Sequence, residues 1–170
     1  LPNCTPDHIV DIDNKSLTHR PDLWGHLGMA REVAAILHRS LHDPVDLSLI
    51  PTAAAPLKVE IEDTTLCPRY SALVFENVTV KPSPLWLQYR LESIGLNPIN
   101  NIVDVTNYVL LETGHPLHAF DLWTLAGPHL RIRRAAAGEV VKTLDGQTRT
   151  VSPEMLVIAD ADRPHAVAGA

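Results

Sequence analysis

The pattern of apolar and polar positions begins with a short N-terminal region. Residues 9–13 alternate roughly between apolar and acidic side chains, which predicts a half-buried strand. After a turn, apolar residues recur with helical spacing over residues 22–37, and this recurrence predicts an N-terminal helix. The predicted buried face of that helix carries Leu23, Leu27, Ala30, Ala34 and Leu37. We therefore expect a strand-turn-helix element over residues 1–43.

A linker is predicted next, followed by strands. Residues 44–56 are rich in Pro, Ala, Ser and Thr, and the prolines interrupt any regular pattern. Residues 57–61 alternate cleanly, and residues 69–80 form a second run rich in residues that favour strands. The sequence thus predicts that a separate module, residues 57–170, opens with two strands.

A helix is predicted after these strands. Ser83 suits the N-cap position, Pro84 is tolerated in a first helical turn, and Gly95 can end the helix in the left-handed conformation. The buried stripe of this helix is predicted to be Leu87, Leu91 and Ile94.

The remainder of the module alternates between strand and helix patterns. Residues 102–105 favour a strand and residues 108–112 a short helix, although the whole segment is ambiguous. Further strands are predicted at 130–134, 140–144 and 155–159, with a hairpin turn at Asp145-Gly146. The expected fold class is α+β, with mixed or antiparallel sheets and short helices preceded by the N-terminal helix.

Composition and charge narrow the functional classes. The chain has 170 residues, 45% of them apolar, which is enough for a genuine core. No apolar run approaches the ~20 residues that span a bilayer, so we expect no membrane segment. A net charge of −6 opposes a dominant nucleic-acid surface. Two distant cysteines, Cys4 and Cys67, and a start without a leader sequence suggest an internal piece of a cytoplasmic protein.

Histidine is frequent enough to raise the question of a metal site. His115, His118 and Asp121 are spaced three residues apart, but Pro116 disrupts a helix that would align them, and no fourth ligand accompanies them. We therefore expect no bound metal. Phosphate-binding loops and the nucleophile elbow of serine hydrolases are absent from the sequence.

A cluster of polar residues remains as a candidate site. Thr106 and Asn107 precede an apolar stretch, and His118 follows it. Histidine carries protons near neutral pH, while Thr and Asn can orient a water molecule or an ester carbonyl. The alternative is structural: Thr106 and Asn107 would cap a helix, and His118 would be a hydrogen-bonded core residue.

Several short motifs, in order, match one known family. They are Arg20-Pro21-Asp22, residues 28–35, Cys67-Pro68-Arg69-Tyr70, residues 102–112, His118-Ala119-Phe120-Asp121, residues 143–146, residues 156–160 and residues 166–169. On these motifs the chain resembles the β subunit of bacterial phenylalanyl-tRNA synthetase, over nearly its whole length.

The resemblance implies a function and a site. In that family this region belongs to an editing module that hydrolyses tyrosine wrongly esterified to the phenylalanine tRNA. It implies that His118 is catalytic and that Thr106 and Asn107 bind the substrate. The chemistry is reasonable, because an apolar pocket rejects one added hydroxyl only weakly and a second hydrolytic site restores discrimination.

The resemblance also sets expectations about partners. It implies phenylalanine tRNA and the synthetase α subunit as partners in an α2β2 enzyme, whose ATP and Mg²⁺ belong to other parts, so no cofactor is expected here. In that family, residues beyond the position of Ala170, including a Glu, complete the pocket, so we expect the isolated chain to be inactive. We also expect the isolated chain to be a monomer. The rival hypothesis is a non-enzymatic module that binds tRNA or another subunit.

Overall fold

The computed structural model describes residues 8–53, 56–143 and 146–168, which form two compact units. The first unit combines the described residues up to Asp46 with Val78–Ala119. The second combines Leu47–Asn77 with the described residues from Phe120 onward. The units therefore interleave along the chain, whereas the sequence predicted consecutive boundaries with a linker at 44–56. That predicted linker contributes a single 3₁₀ turn, Leu47–Leu49, in its described part.

The first unit contains three α-helices in its described residues: α1 (His26–Ile36), α2 (Leu85–Ser93) and α3 (Asn101–Thr113). Helix α3 contacts both of the others. Leu87 and Leu91 of α2 are almost completely buried, as predicted, whereas Ile94 lies at the end of the helix and is 41% exposed. Gly95 has a φ of +85° and ends α2 in the left-handed conformation, which confirms the predicted stop.

The N-terminal helix is present but begins later than predicted. A 3₁₀ turn, Pro21–Leu23, precedes it, and α1 starts at His26 after Gly25. Helix α1 packs against that turn and against α3. Its buried position is Gly28, whereas Ala30 and Leu37 are exposed, so the predicted face was wrong at those two positions. Helix α1 turns Gly28, not Ala30, toward the preceding 3₁₀ turn because Gly28 has no side chain, so its backbone can lie close to Asp22.

Gly28→Ala tests this packing. A Cβ at Gly28 would lie 1.5 Å from the carbonyl oxygen of Asp22, which is backbone and cannot swing away. Glycine-to-alanine changes in an open helix interior stabilise by about 0.5–1 kcal/mol. Here we expect the opposite sign, a loss of about 1–3 kcal/mol in the free energy of unfolding, measured by urea denaturation. A stabilised variant would contradict the described approach of the two segments.

The second unit is built on a mixed four-stranded sheet. Its strands are β1 (Lys58–Ile61), β2 (His129–Arg134), β5 (Leu156–Ala159) and β6 (Pro164–Ala168), in the order β1-β2-β5-β6. Strands β1 and β2 are parallel, and the other two pairs are antiparallel. A separate antiparallel pair joins β3 (Val140–Lys142) to β4 (Thr148–Thr150). The predicted α+β class is confirmed.

The core of this unit lies where the sheet and the hairpin meet. Ile132 of β2 and Val157 and Ile158 of β5 are no more than 1% exposed. Ala135, Val141, Val151 and Val157 form one buried cluster, with Val167 packed against it. Burial of large aliphatic side chains is worth about 1.5–3 kcal/mol each, so these residues fix the register of the strands.

Two predicted strands are wrong because they find no partner. Residues 9–13 form no strand, and Ile9 and Val10 are about 70–80% exposed. Residues 69–80 are also irregular, and Asn77 adopts a positive φ of 58°, which interrupts an extended chain. Alternation along a sequence favours a strand only where another strand can bond to it. Asp145 of the predicted hairpin turn lies outside the described residues.

Candidate functional site

Helix α3 carries two of the candidate residues, and its ends are well defined. The side chain of Asn100 accepts hydrogen bonds from the backbone N–H groups of Ile102 and Val103, both at 3.0 Å. Gly114 ends the helix with a φ of +78°, and its N–H bonds to the carbonyl of Leu110 at 2.7 Å. The segment 102–105, predicted as a strand, is therefore helical, because capping and packing outweigh the strand preference of its Ile and Val.

Asp104 anchors α3 from within. It is completely buried, and it accepts hydrogen bonds from the Ser83 hydroxyl and from the backbone N–H of Ile99, the latter at 2.8 Å. Ser83 was predicted to cap α2, but its hydroxyl bonds to Asp104 and Pro84 holds the N-cap position. Sequence reasoning missed this pair. The sequence signal that could have revealed the pair is Asp104, a single carboxylate inside an apolar run, because a buried carboxylate needs hydrogen-bond partners.

Thr106 and Asn107 lie in the middle of α3, and both are partly buried. The hydroxyl of Thr106 donates to the carbonyl of Val103 at 2.7 Å, so its oxygen is left to act as an acceptor. Consecutive residues on a helix point about 100° apart. Neither residue caps α3, so the predicted capping role is wrong for this pair.

His118 lies in the segment between α3 and the 3₁₀ turn Leu122–Thr124, four residues beyond Gly114. Its side chain is exposed, so the core-histidine alternative is wrong. The structure thus places all three candidate residues in the first unit, two on α3 and one just after its end. Their convergence on a single cleft stays a prediction.

The residues immediately after Ala119 have structural roles in the second unit. Phe120 packs edge-on against the ring of His165, with centroids 6.0 Å apart. Asp121 caps the 3₁₀ turn by accepting from the N–H of Trp123 at 3.0 Å. In the described residues no group of three or more His, Cys, Asp and Glu side chains is placed to hold a metal ion.

Asp160 is a buried carboxylate of the second unit with four hydrogen-bond partners. It accepts from the backbone N–H groups of Ala126, Asp162 and Arg163 and lies 2.6 Å from Nε2 of His165. Burial opposes ionisation of Asp160, but the bond from Ala126 and the His165 ring, followed by the other two amides, outweigh it and hold its pKa well below the usual range. Asp160 therefore stays ionised and ties the β5–β6 connection to residue 126.

A surface cleft of about 570 Å³ also lies in the second unit. It is lined by Leu66, Cys67, Pro68, Arg69, Ser152, Glu154, Met155, Leu156 and Ala168. The Cys67 thiol donates to the carbonyl of Arg69 at 3.4 Å, so this motif shapes a wall of the cleft. None of the three predicted site residues is among the lining residues.

Comparison with known proteins decides the family. The model of the B3/4 domain matches residues 66–170, which is more than half of the chain. The chain belongs to the B3/4 domain family. The matched B3/4 region includes α3, His118, Asp160 and the whole of the β2–β6 segment. The match begins after β1, later than the predicted module start at residue 57.

Curated relatives extend the similarity of this B3/4 chain to its N-terminal part. It is 60% identical to the phenylalanine–tRNA ligase beta subunit of Solibacter usitatus over 99% of the chain. It is 52% identical to the protein of that name from Carboxydothermus hydrogenoformans, over 96% of the chain. The resemblance drawn from the sequence motifs is confirmed. The chain spans about a fifth of the length of these relatives, 22% and 20% respectively.

Across the described ranges, none of the helices is both long enough and apolar enough to cross a bilayer.

Proposed function

We propose that this B3/4 chain is part of a phenylalanyl-tRNA synthetase β subunit and contributes to a site that hydrolyses tyrosine from mischarged phenylalanine tRNA. The observation that carries the proposal is its 60% identity, over 99% of the chain, to a phenylalanine–tRNA ligase beta subunit. The geometry is compatible with it. His118 is exposed, and Thr106 and Asn107 are only partly buried, so a substrate can reach all three.

The proposed reaction is direct hydrolysis of an aminoacyl ester by water. The His118 imidazole takes a proton from the water as the water oxygen attacks the ester carbonyl, and it returns a proton to the departing ribose oxygen. The amide N–H of Asn107 donates to the carbonyl oxygen, where negative charge develops. Because the Thr106 hydroxyl already donates to Val103, its oxygen accepts a hydrogen bond from the water or from the ammonium group of the substrate.

The proposal extends to partners and cofactors. The phenylalanine tRNA supplies the ester, and the synthetase α subunit joins the full-length β subunit in the cytoplasm. Hydrolysis by this mechanism requires no cofactor bound to the residues of this chain. ATP and Mg²⁺ would serve the activation of phenylalanine elsewhere in the enzyme.

A non-enzymatic role is the second candidate, favoured by one observation. Val33, Ile36 and Leu37 of the α1 region are 46%, 67% and 60% exposed. Exposed apolar side chains that lie close together often mark an interaction surface. In this role the chain holds tRNA or another subunit without hydrolysing anything, and its net charge of −6 favours a protein partner over RNA.

The deciding experiment measures deacylation of tyrosyl-tRNA(Phe). We expect the full-length β subunit assembled with its α partner to release tyrosine. The 170-residue chain alone, which spans about a fifth of the length of its relatives, should show little activity. Release is followed with radiolabelled tyrosine, and phenylalanine charging is the control for an intact enzyme. A full-length enzyme that charges phenylalanine but leaves tyrosyl-tRNA(Phe) intact would support the non-enzymatic role.

A further inference from the structure

The start of α1 lies directly against the end of α3. Gly25, the N-cap of α1, has an extended backbone and packs on the last residues of α3. A Cβ at Gly25 would lie 2.6 Å from the backbone N of Gly114 and 2.9 Å from the carbonyl carbon of Thr113. Those atoms belong to the backbone and cannot rotate aside. Only glycine fits at position 25, because any Cβ there would clash with the backbone of Thr113 and Gly114.

The next residue adds a hydrogen bond to the same helix end. Nδ1 of His26 lies 2.9 Å from the carbonyl oxygen of Leu111. A carbonyl only accepts, so the hydrogen must be on Nδ1 of His26. The last carbonyls of an α-helix have no partner within the helix. His26 therefore supplies from α1 a bond that the end of α3 cannot make for itself.

The end of α3 leads directly into the segment that bears His118. Gly114 turns the chain with a φ of +78°, and His118 lies four residues further on. The position of Gly114 therefore sets where that segment begins. Thr106 and Asn107 lie about two turns before Gly114 in the same helix.

Helix α1 is itself held in place. Arg20 bonds to Asp22 at 2.8 Å and to Glu32 at 3.0 Å, which ties the preceding 3₁₀ turn to the middle of α1. The close approach of Gly28 to Asp22 holds the same two segments together. The motifs Arg20-Pro21-Asp22 and residues 28–35, which the hydrolytic proposal leaves without a role, thus build the support for Gly25 and His26.

We infer that Gly25 and His26 are positioning residues for the proposed hydrolytic site. They fix the end of α3 and so the start of the segment that carries His118. Neither residue is assigned a contact with substrate. The inference rests on the proposed function for its activity readout, and it carries a separate physical readout of its own.

The activity test uses the full-length enzyme with its α partner. Gly25→Ala should lower kcat for deacylation of tyrosyl-tRNA(Phe) by about 10²-fold, because displacement of a catalytic group by ~1 Å costs that much. KM for the tRNA and the rate of phenylalanine charging should stay unchanged. Ser40→Thr adds the same single carbon at an exposed position and is the matched control.

A second pair of variants covers the case in which Gly25→Ala fails to fold. His26→Leu removes the donor to Leu111, whereas His26→Asn keeps an N–H at the place of Nδ1. We expect slower deacylation in His26→Leu and recovery in His26→Asn, with exposed His42→Leu as the matched control. Equal rates in His26→Leu and wild type, equal losses in both His26 variants, or a parallel loss of phenylalanine charging would each overturn the inference.

The physical readout is hydrogen exchange of the Gly114 amide, which bonds to the Leu110 carbonyl. Measured by mass spectrometry on the full-length subunit, exchange should accelerate in Gly25→Ala and His26→Leu, while β5 peptides stay protected. Unchanged exchange at Gly114 would overturn the inference even if deacylation fell. If the wild-type enzyme does not deacylate tyrosyl-tRNA(Phe), the proposed function fails, and the exchange measurement still decides whether these residues position the helix end.

Discussion

Replacing His118 by alanine in the full-length enzyme should slow deacylation of tyrosyl-tRNA(Phe) by about 10²–10⁴-fold, the usual contribution of a general acid–base group. The reason is chemical: alanine cannot take the proton from the attacking water. His118 is exposed and lies outside regular secondary structure, so its removal should leave folding intact. Single-turnover deacylation and steady-state phenylalanine charging, measured on the same preparation, separate the two activities.

His115→Ala is the matched control for that experiment. His115 lies in the same segment and is also exposed, but the family resemblance assigns it no part in the site. We expect wild-type deacylation from this variant. If His118→Ala edits as fast as wild type while His115→Ala does not, the proton transfer must be reassigned to His115. Equal wild-type rates in both variants would remove histidine from the mechanism.

The largest expected effect on stability is that of Asp160→Ala. The change leaves the N–H groups of Ala126, Asp162 and Arg163, and the ring of His165, without their shared acceptor. Breaking such a buried, charged arrangement costs about 3–5 kcal/mol. We expect urea denaturation of the 170-residue chain to show a loss of that size, whereas exposed Asp162→Ala should change the free energy of unfolding little.

The same carboxylate gives stability a defined pH dependence. The pKa of Asp160 is lowered in the folded chain relative to 3.8, its ordinary value. Its contribution is therefore fully present above that ordinary value and is lost as the pH falls toward the lower folded value. Wild type should lose stability between about pH 5 and pH 2 more steeply than Asp160→Ala. Parallel curves for the two proteins would show that Asp160 does not carry this dependence.

The sequence predicted well those elements whose signal is local. Leu87 and Leu91 with Gly95 predicted α2, and β2, β3 and β5 lie within a residue or two of the strands expected from alternation and apolar runs. The failures depend on distant partners. Residues 102–105 carry a strand-like composition, but the cap at Asn100 and the bonds to Asp104 make them helical. Ser83, whose hydroxyl bonds to Asp104, lies 21 residues earlier in the chain, so the sequence close to Asp104 does not reveal this partner.

The candidate site was chosen from family resemblance, and its three residues stay a prediction. Family resemblance selected Thr106, Asn107 and His118, and the structure excludes the alternative in which the first two cap a helix and the third is buried. Sequence patterns gave no hint of Gly25 or His26, and they gave Asp160 no role beyond its place in the 156–160 motif. Their roles come from contacts across the chain, such as His26 to Leu111 and Asp160 to Ala126, and such contacts leave no periodic signal.

The interleaving of the two units has a consequence for synthesis on the ribosome. All residues of the first unit are available once Ala119 has left the exit tunnel, so that unit can fold first. Strand β1 must wait, because Lys58 pairs with His129 and the sheet is complete only at β6. Early folding of Val78–Ala119 would condense the intervening segment and reduce the entropy lost when β1 and β2 meet. Until β2 has emerged, β1 is an unpaired strand that can bond to the wrong strand or to another chain. Nascent chains stalled after β1 has emerged and before β2 has emerged should therefore be the ones that chaperones bind most.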